Sequence, residues 1–157
     1  MLYRFSRQTG RADIAASFPA APLSNSQYPF VSAWLQDTNN NLWFATVQGI
    51  FMYTPSTNSW KHWQNIPGNT ASISSNMLFT ICGDPKEPSK YLWIGTNGSG
   101  FFRFEMATGK CIRYNDKDGL PNNVVYAILS DKAGNLWLST NRGLSCFDPV
   151  HKTFRNF

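Results

Sequence analysis

The sequence predicts an all-β fold, a β-propeller fragment of about three and a half four-stranded antiparallel blades. Three observations predict it: short aromatic-rich runs set between turn formers, an internal repeat present three times, and a half-copy of that repeat at the N-terminus. Aromatic residues make up 15% of the 157 residues, and charged residues only 15%. The latter is well below the roughly 25% of an average soluble domain. Asn, Ser, Thr and Gly fill the gaps between aromatic runs, the pattern of many short strands joined by turns.

The repeat justifies each element in turn. An apolar run (31–37, 78–84 and 125–131) ends in Asp37, Asp84 or Asp131. After a turn comes Leu-Trp-x-small-Thr, with Trp43, Trp93 or Trp137 and then Thr46, Thr96 or Thr140. A glycine follows (Gly49, Gly100, Gly143), then a strand closing on Tyr53, Phe104 or Phe147. Seven residues on stands Trp60, Cys111 or Phe154, and three beyond that Trp63, Tyr114 or Phe157. Each unit therefore holds four strands, a to d, and the blades are placed at 30–63, 77–114 and 124–157. Residues 2–5 and Thr9-Gly10 match 101–104 and Thr108-Gly109, so residues 1–15 supply strands c and d of a partial blade. All four pieces together form one propeller segment.

Elementary chemistry explains the repeated positions. Asp before Asn or Gly suits a tight a–b turn, because its carboxylate bonds nearby backbone N–H groups and Asn or Gly accepts positive φ. In Leu-Trp-x-small-Thr the side chains alternate, so Leu42, Phe44 and Thr46 face one way and Trp43 and Ala45 the other. The small residue (Ala45, Gly95, Ser139) makes room for an adjacent sheet, and the Trp covers it. One such sheet cannot bury both faces alone; stacked blades do.

With these residues in place, the chain resembles the two-component regulator propeller repeat of the sensor regions of bacterial hybrid two-component systems. Leu92-Trp93-Ile94-Gly95-Thr96 matches that pattern fully. The third unit follows it through Asp131-Lys-Ala-Gly-Asn-Leu-Trp137, Thr140-Asn-Arg-Gly-Leu144 and the approach Asp118-Gly119-Leu120-Pro121-Asn122-Asn123. The first unit departs, with Phe-Ala for Ile-Gly and no Asp-Gly-Leu approach. The resemblance implies an extracytoplasmic, periplasmic sensing segment responding to carbohydrate, completed by further blades of a larger propeller or by self-association. A protein-interaction scaffold without a small ligand is the competing reading, and a propeller enzyme the third.

No residue pattern calls for catalysis, and the chain is read as a non-enzyme. His62 and His151 stand apart, so no metal and no cofactor is expected. Cys82, Cys111 and Cys146 are odd in number without CxxC spacing, which points to buried thiols. Asp116 and Asp118 fit a linker turn better than a calcium loop. The net charge of +5 is scattered, which disfavours nucleic acid. No run of eighteen apolar residues predicts a membrane contact, and residues 1–10 lack the apolar core of a signal peptide.

Antiparallel meander topology puts the b–c loops and the d–a linkers (15–29, 64–76, 115–123) on one rim and the Asp turns on the other. Long connections on a rigid scaffold are where binding resides. Asn97, Asn141, Arg142 and Gln48 are the candidate ligand-binding residues, with an oligosaccharide as the expected ligand. Arg142 adds a planar fork of donors suited to an acidic sugar.

Overall fold

Within each sheet, strands that follow one another in the sequence pair with one another. The structure, a computed structural model, describes residues 1–19 and 29–157; the central part of the linker 15–29 lies outside the described residues. Among the described residues there are one two-stranded and three four-stranded antiparallel sheets. The pair is β1 (Leu2–Phe5) with β2 (Ala12–Ala16). The first meander is β3 (Val31–Gln36), β4 (Leu42–Thr46), β5 (Gly49–Thr54) and β6 (Ser59–Trp63). The second is β7 (Leu78–Gly83), β8 (Tyr91–Thr96), β9 (Phe101–Glu105) and β10 (Cys111–Tyr114). The third is β11 (Val125–Ser130), β12 (Leu136–Thr140), β13 (Gly143–Asp148) and β14 (Thr153–Asn156). The leading strands β3, β7 and β11 lie beside one another, as the innermost strands of successive propeller blades do.

The core is the space between blades. Trp43, Ala45, Ile50 and Met52 on the rear face of the first blade pack against Leu78, Ile81, Leu92, Ile94, Phe102 and Phe104 on the front of the second. One blade along, Trp93 and Phe101 meet Val125, Ile128, Leu136, Leu138 and Phe147. The alternation of Leu42 and Phe44 against Trp43 and Ala45 is thus the alternation of front and rear. Trp43 meets Phe104 edge to face at 5.8 Å, and Trp93 meets Phe147 the same way at 5.8 Å. Gly95 is small for the stated reason: a Cβ there would press on Thr80 Cγ2 and on the carbonyl and side chain of Val125 in the next blade.

The linkers do more than connect. Among the described residues, each contributes an apolar side chain to the core at the front of the blade it leads to: Phe18, Ile73 and Leu120. Phe18 stands edge-on to Phe44 at 5.0 Å and lies 4.6 Å from Trp60. Asn115 to Gly119 forms a short 3-10 turn in which Asn115 and Asp118 cap each other reciprocally. Between the β1–β2 pair and the first blade lies a cleft of about 720 Å³, lined by Tyr3, Phe18, Trp34 and Phe44 among others.

All three innermost strands carry a β-bulge at the same place. The register slips between Val31 and Ala33, Leu78 and Thr80, and Val125 and Ala127. The extra residue is Ser32, Phe79 or Tyr126, at the end of the strand that enters from the d–a linker.

Candidate ligand-binding rim

The two rims differ in how far their polar groups are already used. On the a–b rim each Asp is saturated. Asp37 Oδ1 accepts from the backbone N–H of Asn39 and Asn41 at 2.8 and 2.9 Å, while Oδ2 accepts from Asn41 Nδ2 and Trp43 Nε1 at 2.9 and 2.8 Å. Asp131 repeats this with Ala133, Asn135 and Trp137. Asp84 takes N–H bonds from Lys86 and Glu87 and the indole of Trp93, and Arg103 replaces the asparagine. Burial raises Asp37 and Asp84, but the bonds they accept, and Arg103 at Asp84, outweigh it and hold both below the usual carboxylate value. The Asn135 bonds, then Trp137, bring Asp131 down to about 2.

On the opposite rim, each b–c loop is pinned by its threonine and glycine. Thr46 Oγ1 donates to the Gly49 carbonyl at 2.8 Å and accepts from the Gln48 N–H at 2.9 Å. Thr96 with Gly100 and Ser99, and Thr140 with Gly143 and Arg142, do the same. Gly49, Gly100 and Gly143 have φ of 101°, 71° and 90°. A Cβ on any of them would overlap the carbonyl oxygen of Trp63, Tyr114 or Phe157, so only glycine passes. The loops also hold the next blade's approach: Gly49 N–H donates to Asn76 O and Gly100 N–H to Asn123 O, both at 2.8 Å. The b–c loops and d–a linkers therefore meet on one rim, as the meander requires.

Asn97, Asn141 and Arg142 are exposed on this rim. Asn97 and Asn141 occupy equivalent loop positions, and Asn97 bridges to Val124 of the following blade. Among the described residues no side-chain bond joins Asn97, Asn141 and Arg142 to one another. Gln48 is half-buried, and its carbonyl accepts from Gln64 and lies 2.8 Å from His62 Nε2. The His62 ring stacks on Phe51 at 3.8 Å, which gives it a packing role.

Two rim residues escape a reading by motif. Phe79 and Tyr126, the bulged residues, stack in parallel with centroids 5.4 Å apart and planes 7° apart. The Tyr126 hydroxyl donates to Asn141 Oδ1 at 2.8 Å. An aromatic at the second place of strand a in two of three blades was the only signal. Farther out on the same rim, Arg113 donates to the carbonyls of Asn69 and Ser72, and it lines a depression of about 270 Å³ with Ser74 and Lys117. Among the described residues no group of three or more His, Cys, Asp or Glu is placed to hold a metal ion. The three cysteines are unpaired; burial raises the Cys82 thiol and pushes Cys111 up to about 12. No helix among the described residues is long and apolar enough to cross a membrane.

Known proteins share this architecture. The chain is similar to the extracellular domain of a putative hybrid two-component system of B. thetaiotaomicron, with TM-score 0.78 and 22% identity, covering 94% of this chain and 21% of that one. The extracellular domain of a putative one-component system of the same organism gives TM-score 0.69 and 24% identity over 81% and 18% of the two chains. Virginiamycin B lyase of Staphylococcus aureus gives 0.58 and 13%, over 82% and 40%. The chain thus spans about a fifth of the two extracellular domains, and the likeness is one of fold. No curated protein sequence matches it. Residues 119–142, the approach and first two strands of the third blade, match the family model of the two-component regulator propeller.

Proposed function

We propose that the chain is an extracytoplasmic, periplasmic sensing segment of a bacterial hybrid two-component sensor, and that it binds carbohydrate on the rim of b–c loops and d–a linkers. The observation that carries this is the contrast between rims. The Asp carboxylates are consumed by indoles, asparagines, Arg103 and backbone N–H groups. The side chains of Asn97, Asn141 and Arg142 stand exposed on a rigid, mutually pinned set of loops. Amides and a guanidinium present the donors and acceptors that sugar hydroxyls and carboxylates use. The two-component regulator repeat and the extracellular relatives support a sensing role outside the cytoplasm.

The test is an NMR titration of the full chain with neutral and acidic oligosaccharides. Shifts gathered at Asn97, Asn141 and Arg142 are expected. Shifts confined to the Asp37, Asp84 and Asp131 turns would put the site at the wrong end.

A further inference from the structure

We propose that Phe79 and Tyr126 form a stacking platform for a pyranose ring, with Asn141 and the Tyr126 hydroxyl holding one of its hydroxyl groups. The proposal rests on the carbohydrate reading above and deepens it by naming the surface and the part of the sugar it grips.

Backbone geometry comes first. A bulge recurs at the same residue of all three innermost strands, and a bulge re-aims the side chain it frees. The freed residues in the second and third blades are the aromatics Phe79 and Tyr126, which stack in parallel on the rim where b–c loops meet d–a linkers. Tyr126 keeps 50% of its surface exposed despite that stack. In the first blade the same position is Ser32, so the aromatic series stops at Phe79.

Side-chain chemistry then selects the ligand. A pyranose presents a face of C–H groups, which packs on an aromatic ring, and a perimeter of hydroxyls, each both donor and acceptor. The Tyr126 hydroxyl gives its proton to Asn141 Oδ1. That leaves the phenolic lone pairs as acceptor and the two Asn141 Nδ2 protons as donors, side by side at the ring edge. A single sugar hydroxyl can use both. An apolar peptide side chain would use the rings but leave this polar pair unsatisfied.

The experiment is calorimetry with proton NMR on the full chain, using cellohexaose, xylohexaose and hexagalacturonate as probes. One of them is expected to bind, with sugar C–H resonances moved upfield by the ring currents. Tyr126→Leu and Phe79→Leu should weaken that binding about tenfold or more, and Tyr126→Phe, which keeps the ring, only a few-fold. Thermal unfolding of each variant shows that it is folded. Should a Leu variant fail to fold, the upfield shifts in the unaltered chain and the Tyr126→Phe result decide the matter. A sugar bound without upfield shifts, or bound equally by the Leu variants, overturns the platform and leaves carbohydrate sensing standing. Binding of none of the three probes overturns the platform and counts against the carbohydrate reading as well.

Discussion

The indole Nε1 of Trp93 donates to Asp84 Oδ2 across 2.9 Å, tying the end of the first strand of a blade to the middle of the second. Trp43 with Asp37 and Trp137 with Asp131 make the same bond at 2.8 and 3.1 Å. A Trp that covers the next blade must bury its N–H, and a buried donor needs an acceptor. The Asp therefore does two jobs, shaping the turn and satisfying the indole.

Asp84→Ala should be the most damaging of these removals. The carboxylate is almost wholly buried, and Arg103 sits 2.8 Å from it in an ion pair. Arg103 also lies 3.7 Å over the Tyr91 ring, so it has little freedom to turn to solvent. Stripping one partner from a buried pair costs about 3–5 kcal/mol. Asp37→Ala removes neutral donors' acceptor at a partly exposed site and should cost about 1–2 kcal/mol. Urea unfolding of both variants checks the order, and an equal loss would refute it.

Stability should fall at both ends of the pH scale. Asp131 and Asp148 titrate at about 2 in the folded chain against an ordinary 3.8, and Asp37, Asp84 and Glu87 are also lowered. A depressed folded value means the native state binds fewer protons than the unfolded chain. Its contribution is present above the ordinary value and is lost as pH falls from about 4 to about 2. Cys111 is shifted the other way, to about 12 from 9.0, so its contribution is present below pH 9 and fades above it. Thermal midpoints measured from pH 2 to 11 should show a plateau between these limits. A midpoint that keeps rising below pH 4 would contradict the account.

What the sequence made legible was whatever recurs at constant offset. The blade strands, the turn Asp, the loop Thr and the passing Gly all repeat, because each answers a backbone demand that every blade makes. What stayed hidden was what varies between blades. Asn41 and Asn135 bond the turn Asp through Nδ2, but the second blade has Tyr91 there and recruits Arg103 from the third strand. No alignment of the repeat brings Arg103 to Asp84, because its counterparts are Met52 and Cys146. The plugs Phe18, Ile73 and Leu120 lie in linkers of unequal length, so their equivalence is spatial. Phe79 and Tyr126 were hidden because a bulge breaks the alternation from which a strand residue's face is read.

Trp93→Ala should destabilise far more than Trp137→Ala. Trp93 is buried between two blades and packs against Phe101, Tyr114 and Phe147. Emptying such a site costs about 3–5 kcal/mol. Trp137 stacks on Phe157 of its own blade and remains partly exposed, so its removal should cost under about 2 kcal/mol. Thermal unfolding of the two variants gives the comparison, and equal shifts would mean that Trp137 is covered in solution.

The two glycines of one b–c loop separate strain from overlap. Gly98 has φ of 93° and open space where a Cβ would go, whereas Gly100 has φ of 71° and the Tyr114 carbonyl in that space. Gly98→Ala therefore meets only the backbone cost of a left-handed conformation, about 1 kcal/mol. Gly98→Asn should cost less still, because Asn enters that region more readily. At Gly100 the obstacle is the main chain of β10, which is held in the ladder with β9 and cannot rotate aside. Gly100→Ala should therefore cost more than Gly98→Ala, and Gly100→Asn should bring no relief, since its Cβ meets the same oxygen. Urea midpoints of the four variants decide it: if Asn rescues Gly100 as it does Gly98, backbone conformation alone governs the loop and the close approach of Tyr114 does not.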